Sequence, residues 1–170
     1  MVVTRHHLAH CNVAQLLAPL DTPSSAGFVD ALEPVNALAD RSPGLVWRLP
    51  DPTSIRAFDD DDLILINVSV WESAEALAEF TYRSGHRDVM RQRRQWFGTM
   101  DEAQLVLWWV PAGHVPDVEE AKDRLGLLRR VGPSPDAFTF RSFYPVDATA
   151  PISVAPPPGN VTLGRIGLRQ

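Results

Sequence analysis

Hydrophobic and polar positions alternate most clearly from Leu63 to Trp71. Leu63, Leu65, Asn67, Ser69 and Trp71 fall on one face of an extended chain, and Ile64, Ile66, Val68 and Val70 on the other, which predicts a strand with apolar groups on both faces. A looser alternation from Leu8 to Leu17, stopped by Pro19, Asp21 and Pro23, predicts a first strand. The spacing then turns helical: Phe28, Leu32, Val35 and Leu38/Ala39 form an i, i+3/i+4 stripe, with Ser24 and Ser25 offering the N-cap and Ser42-Pro43-Gly44 the end. Pro34 interrupts the stripe, so a kink or a late start is expected. Leu45 to Leu49 reads as a short strand, and Pro50 to Asp62, rich in Pro and Asp, as a loop.

Ser73 with Glu75 and Ala76 starts a helix through Leu77, Phe80 and Tyr82. Ser84-Gly85 breaks it, and a second helix is expected from His86 to Phe97. Gln104 to Val110 is another apolar strand, stopped by Pro111. Asp117 caps a helix carrying Val118, Ala121, Leu125 and Leu128 that ends at Gly132-Pro133, and Phe138 to Phe143 is expected to add a short final strand. This order is the split β-α-β-β-α-β pattern of a ferredoxin-like α+β domain, with an appended C-terminal helix. Helices cover one face of such a sheet, and pairing of two sheets in a homodimer is the simplest cover for the other. Residues 1–145 form this single domain, while four prolines from Val146 onward predict a Pro/Gly-rich tail, 146–170, or an arm embracing a partner subunit.

Composition narrows the setting. A chain of 170 residues, 45% hydrophobic and 22% charged, is an ordinary globular domain with a proper core. No apolar run approaches the roughly 20 residues of a bilayer span, and the start of the chain carries no signal-peptide h-region, so a soluble protein without a membrane partner is expected. Cys11 alone cannot form a disulfide within the chain, which fits a reducing cytoplasm and excludes a cysteine-based zinc cluster. The formal charge of -5 argues against nucleic acid as a partner. One segment runs against it: Arg83, Arg87, Arg91, Arg93 and Arg94 face only Asp88.

The candidate chemistry gathers nearby. His86, Met90, Arg93/Arg94 and Phe97 share one helical face, placing an imidazole beside apolar groups where it can act as acid/base or metal ligand. A buried structural histidine is the alternative. Trp71, Asn67 and Ser69 share a strand face, an aromatic wall with two polar handles that suits an organic ligand, or else a core Trp with cross-strand hydrogen bonds. The substrate-binding set expected around them is Asn67, Ser69, Trp47, Tyr82, Arg83, Met90, Arg94 and Phe97, although Trp47, Trp108 and Trp109 equally suit core or dimer interface. Arg83 and Arg94 could hold a carboxylate through forked hydrogen bonds. Asp59 to Asp62 lacks the Gly and terminal Glu of a calcium loop and reads as a solvated turn; His6, His7 and His10 read as a frayed or loop-lying start. His114 follows Pro111-Ala-Gly in a turn. No nucleophile elbow, phosphate loop, dinucleotide fingerprint or zinc helix occurs.

Several stretches carry a resemblance. Asn67-Val-Ser-Val-Trp71-Glu-Ser, then Glu75-Ala76 and Ser84-Gly-His86, resemble the antibiotic-biosynthesis-monooxygenase superfamily, a dimeric α/β-barrel group. Ser42-Pro-Gly-Leu-Val-Trp-Arg48, Tyr82-Arg-Ser-Gly-His-Arg-Asp88, Arg94-Gln-Trp-Phe97 and Trp108-Trp-Val-Pro-Ala-Gly-His114 resemble more closely the bacterial domain-of-unknown-function family numbered thirty-two ninety-one. The resemblance spans roughly residues 8 to 144 and implies the fold. Relatives in this superfamily include cofactor-free oxygenases of polyketide quinones and haem-degrading oxygenases; the latter place an Asn on the first strand, a Trp ending the third and an axial His on the next helix. Asn12, Trp71 and His86 are similar in type and order, with His86 about one helical turn earlier, closer to the spacing of the cofactor-free enzymes. The resemblance implies a monooxygenase, cyclase or rearrangement enzyme on a hydrophobic aromatic or polyketide-like substrate, with His86, Asn12 and Trp71 as catalytic residues and no cofactor. The alternatives are haem with His86 as axial ligand, and a non-catalytic ligand-binding dimer.

Overall fold

The computed structural model of the chain describes residues 5–50, 63–83 and 92–152. Its strands are β1 (His6–Gln15), β2 (Leu45–Arg48), β3 (Ile64–Trp71) and β4 (Leu105–Pro111); its helices are α1 (Ala26–Asp40), α2 (Ala74–Arg83) and α3 (Val118–Val131). The strands form one antiparallel sheet in the order β2-β3-β1-β4. This is the ferredoxin-like α+β arrangement, with α3 appended.

Four local expectations are corrected. His6, His7 and His10 are strand residues, because β1 begins at His6, paired with Pro111 of β4. Pro34 sits inside α1, which starts at Ala26 with no late start; Ser25 turns its hydroxyl to the Ala18 carbonyl at 3.2 Å and makes no side-chain cap. Of the helix expected from His86 to Phe97, residues 86–91 lie outside the described residues, and the described end is a 3-10 turn, Arg93–Gln95, followed by an isolated bridge between Phe97 and Leu16. Phe138 to Phe143 forms no continuous strand: Phe138 bridges Leu107 and Phe143 bridges Ile152. The Phe138 bridge, with both N–H···O bonds at 2.8 Å, blunts the outer edge of β4.

The larger correction concerns the second sheet face. Ala9, Cys11 and Val13 of β1, Ile66, Val68 and Val70 of β3, and Val106, Trp108 and Val110 of β4 are buried there in one cluster with Ala121, Leu125 and Leu128. Those last three recur at helical spacing along α3, so the chain covers this face with its own helix, and a second subunit is not needed for that purpose. Asp117 caps α3 by accepting the Glu120 N–H at 2.8 Å, and Gly132, at φ +80, ends it. Trp108 ties helix to sheet by donating its indole N–H to Glu120 Oε1 at 2.9 Å.

Cys11, at 0% exposure in this cluster, has its thiol pushed up to about 12 by burial. Deprotonation therefore opposes folding: the thiol's contribution is intact below an ordinary thiol value of about 8.5 and is lost as pH rises towards the folded value. Native protein is expected to resist thiol reagents at neutral and mildly alkaline pH, with labelling that tracks urea unfolding. Stoichiometric labelling of folded protein would show the sheet face to be accessible.

Candidate functional site

The opposite sheet face has a different character, read rung by rung from β2 to β4. One rung is Leu45, Trp71, Leu8 and Trp109; the next is Arg48, Ser69, His10 and Leu107; the next is Asn67, Asn12 and Leu105. Beyond them Leu65 pairs with Ala14. At one end, Leu8, Trp71 and Leu107 are buried with Leu77 of α2 and with Phe138, Phe143 and Tyr144. At the other, Leu65 and Leu16 are buried with Phe28 of α1 and with Trp96. Between the two clusters lies a polar strip of His10, Asn12, Asn67 and Ser69, in which Asn67 is exposed and the other three half-buried although β1 and β3 are the central strands.

Hydrogen bonds order part of this strip. Trp71 donates its indole N–H to Ser69 Oγ at 2.9 Å, and Ser69 Oγ lies 3.2 Å from His10 Nδ1. Trp71 itself is 1% exposed and stacks on Phe80 with ring centroids 5.2 Å apart. Arg48 grips Asp40 of α1 through two bonds, 2.7 and 2.9 Å long, and that hydrogen bonding holds the Asp40 carboxyl below the usual carboxylate range. A cleft of about 390 Å³ runs beside this pair, lined also by Val29, Leu32 and Asn36. A second cleft, of about 510 Å³, lies over Phe80 and is rimmed by Glu72, Glu75 and Glu79. Among the described residues no three His, Cys, Asp or Glu side chains gather into a metal site.

The structure thus brings together Asn12, Asn67, Ser69 and Trp71 on one face. Tyr82 on α2 is half-buried beside the Trp71 end, its ring edge-on to Phe140 at 6.1 Å and its phenol raised by burial. Phe97 packs at the other end, edge-on to Phe28 at 4.9 Å. Trp47 does not join them: it packs against the α3-covered cluster on the opposite face. Arg94 is exposed, Arg83 is the last residue of α2, and His86 and Met90 lie outside the described residues. His114 bonds Glu120 at 2.6 Å, away from the strip. Sequence reasoning missed His10 and Arg48. The signal for His10 is its parity with Leu8 and Asn12 along β1.

The sequence profile of a domain of unknown function, DUF3291, matches residues 7–153. No curated protein matches the chain. Among solved structures, PA3566 from Pseudomonas aeruginosa is similar at 11% identity and a TM-score of 0.44, over 67% of this chain and 99% of that one. A candidate antibiotic biosynthesis monooxygenase from Nitrosomonas europaea aligns at 12% identity and 0.43, over 69% and 99%. Another candidate of that description, from Chloroflexus aurantiacus J-10-fl, aligns at 16% and 0.38, over 66% and 98%. No helix among the described residues is long and apolar enough to cross a membrane.

Proposed function

We propose, from the premise that the chain belongs to the DUF3291 family of unknown function, that it binds a small, largely apolar molecule on the polar strip and acts on it as an enzyme. The observation that carries this reading is exposed Asn67 on a central strand, between two buried aromatic clusters of the same sheet face. Ligand sites combine apolar walls with a few convergent polar groups, and a polar strip inside an apolar face has that composition. Asn12 and Asn67 would hydrogen-bond the ligand, Trp71 would wall it, and Tyr82 and Phe97 would bound its ends. His86, with Arg83, Met90 and Arg94 nearby in sequence, belongs to the proposal as acid/base. The substrate class is aromatic or polyketide-like, and the reaction an oxygenation, cyclisation or rearrangement without cofactor.

The test is tryptophan-fluorescence titration with a panel of phenols and naphthols, followed by oxygen uptake and product analysis on those that bind. Asn67→Leu fills the strip with an apolar side chain on an exposed position and should weaken binding about tenfold, roughly one good hydrogen bond to a buried ligand, with little change in stability. Equal affinity in wild type and Asn67→Leu would refute the strip as the site. Haemin addition checks the haem alternative, which requires a sharp Soret band that His86→Ala abolishes.

A further inference from the structure

On the reading that the polar strip holds the ligand, we infer that Asn12 and Asn67 read that ligand as a pair, and that its class is a flat, uncharged ring system with a cis-amide edge, an N–H beside a C=O as in a lactam or cyclic imide. The polar side chains of the strip divide into two sets. Ser69 and His10 are engaged: Ser69 Oγ accepts the Trp71 indole N–H at 2.9 Å and lies 3.2 Å from His10 Nδ1. Among the described residues, Asn12 and Asn67 are the strip members whose side-chain amides make no hydrogen bond to protein, although both stand on central strands and Asn12 is half-buried. Amides placed so contribute nothing to the sheet that a β-branched side chain would not contribute better, and they leave donors and acceptors open for a ligand.

The register sets how the two amides are presented. The Leu16 N–H donates to the Leu63 carbonyl at 2.7 Å, which makes Leu16 and Leu63 a hydrogen-bonded pair, and counting back in twos makes Asn12 and Asn67 another. In such a pair the Cα atoms stand about 5.5 Å apart, with both side chains on the same face. Each amide carries two N–H donors and a carbonyl acceptor, so whichever way either is turned, the rung offers donors and acceptors side by side. A cis-amide edge matches that offer. Its N–H donates to the carbonyl of one asparagine while its C=O accepts from an N–H of the other. A lone phenol hydroxyl answers only one of these positions. A carboxylate has acceptors only, and Arg48, the cation on the adjoining rung, is held by Asp40 at 2.7 and 2.9 Å and by the Leu49 and Pro50 carbonyls. A neutral ligand therefore fits the rung better than an anion. Leu105, opposite Asn12 on β4, gives its ring an apolar seat.

The probes are 2-quinolone, which carries the edge; N-methyl-2-quinolone, which lacks its N–H; and 4-methyl-2-quinolone, which bears the same methyl group away from the edge. Calorimetric titration of the full chain gives the affinities, with 2-naphthol as the single-hydroxyl comparison. Wild type is expected to bind 2-quinolone about tenfold more tightly than N-methyl-2-quinolone and within about threefold of 4-methyl-2-quinolone. The double variant Asn12→Leu/Asn67→Leu should bring the preference for 2-quinolone over its N-methyl form below about threefold, a change of ratio that a general loosening of the sheet does not produce. Of the two single variants, the one that loses the carbonyl accepting the ligand N–H should erase the preference, and the other should weaken both quinolones alike. Asn12→Val/Asn67→Val replaces the double variant if the latter lacks a wild-type far-UV spectrum. Equal binding of 2-quinolone and N-methyl-2-quinolone by wild type, or a preference that survives the double variant, overturns the assignment. If 2-naphthol still binds wild type and is weakened by Asn67→Leu in that event, the strip stands as the ligand site without the amide-edge class. Absence of binding by the quinolones, 2-naphthol and the phenols alike sinks both.

Discussion

Trp71→Ala is expected to lower stability by about 3–5 kcal/mol, the range for removing a large buried aromatic. Trp71 is 1% exposed, stacks on Phe80 and packs with Leu8, Leu77 and Leu107, so truncation leaves a cavity between α2 and the sheet. For a chain of this length each kcal/mol moves the melting temperature by about 2–4 °C, so a fall of the order of 10 °C is expected. Trp71→Phe separates packing from polarity. It keeps a ring against Phe80 while removing the indole N–H to Ser69 and a smaller part of the buried ring volume, and its stability cost should stay within about 2 kcal/mol. Ligand binding should fall with Trp71→Ala and largely persist with Trp71→Phe. Urea denaturation with both variants checks the first pair of values; a Phe variant as unstable as the Ala variant would mean that the hydrogen bond, and not the packing, holds this end of the sheet.

Leu125→Asp is the second large effect. Leu125 is fully buried at the centre of the α3 stripe, in one cluster with Cys11, Val68 and Val106, and an aspartate there puts an unpaired carboxylate into an apolar cluster. A loss above about 4 kcal/mol is expected, together with dye binding to the uncovered sheet and concentration-dependent association in sedimentation. Leu125→Ala, which makes only a cavity, should cost about 2–5 kcal/mol without association. If Leu125→Asp stays within about 1 kcal/mol of wild type, α3 is not what covers that face.

The fold was largely legible because its signals are local. The alternation from Leu63 to Trp71 located β3 and its faces, Asp117 located the start of α3, and the order of elements gave the ferredoxin-like pattern. What was not legible depends on tertiary choice. The α3 stripe could be read from Ala121, Leu125 and Leu128, yet nothing in its spacing says which sheet face it covers, since β3 is apolar on both. The same face-doubled strand made sheet pairing in a homodimer the simplest cover for that face. In the site, Asn67, Ser69 and Trp71 were legible because one strand carries them all. His10 was not, because its partnership with Ser69 exists only through the β1–β3 register, and register is not visible in either strand alone. Arg48 was missed for a similar reason: its role comes from Asp40, on a different element. Trp47 was placed in the site by residue type, and strand parity sends it to the opposite face.

The central claim, that the polar strip between the two aromatic clusters is where this protein holds its ligand, is tested most directly by mapping backbone amide shifts as 4-nitrophenol is titrated into the full chain. The account expects the largest saturable shifts at His10, Asn12, Asn67 and Ser69, with Ala121, Leu125 and Leu128 unmoved. Shifts gathered instead at Glu72, Glu75 and Glu79, or spread without saturation over both sheet faces, would contradict it.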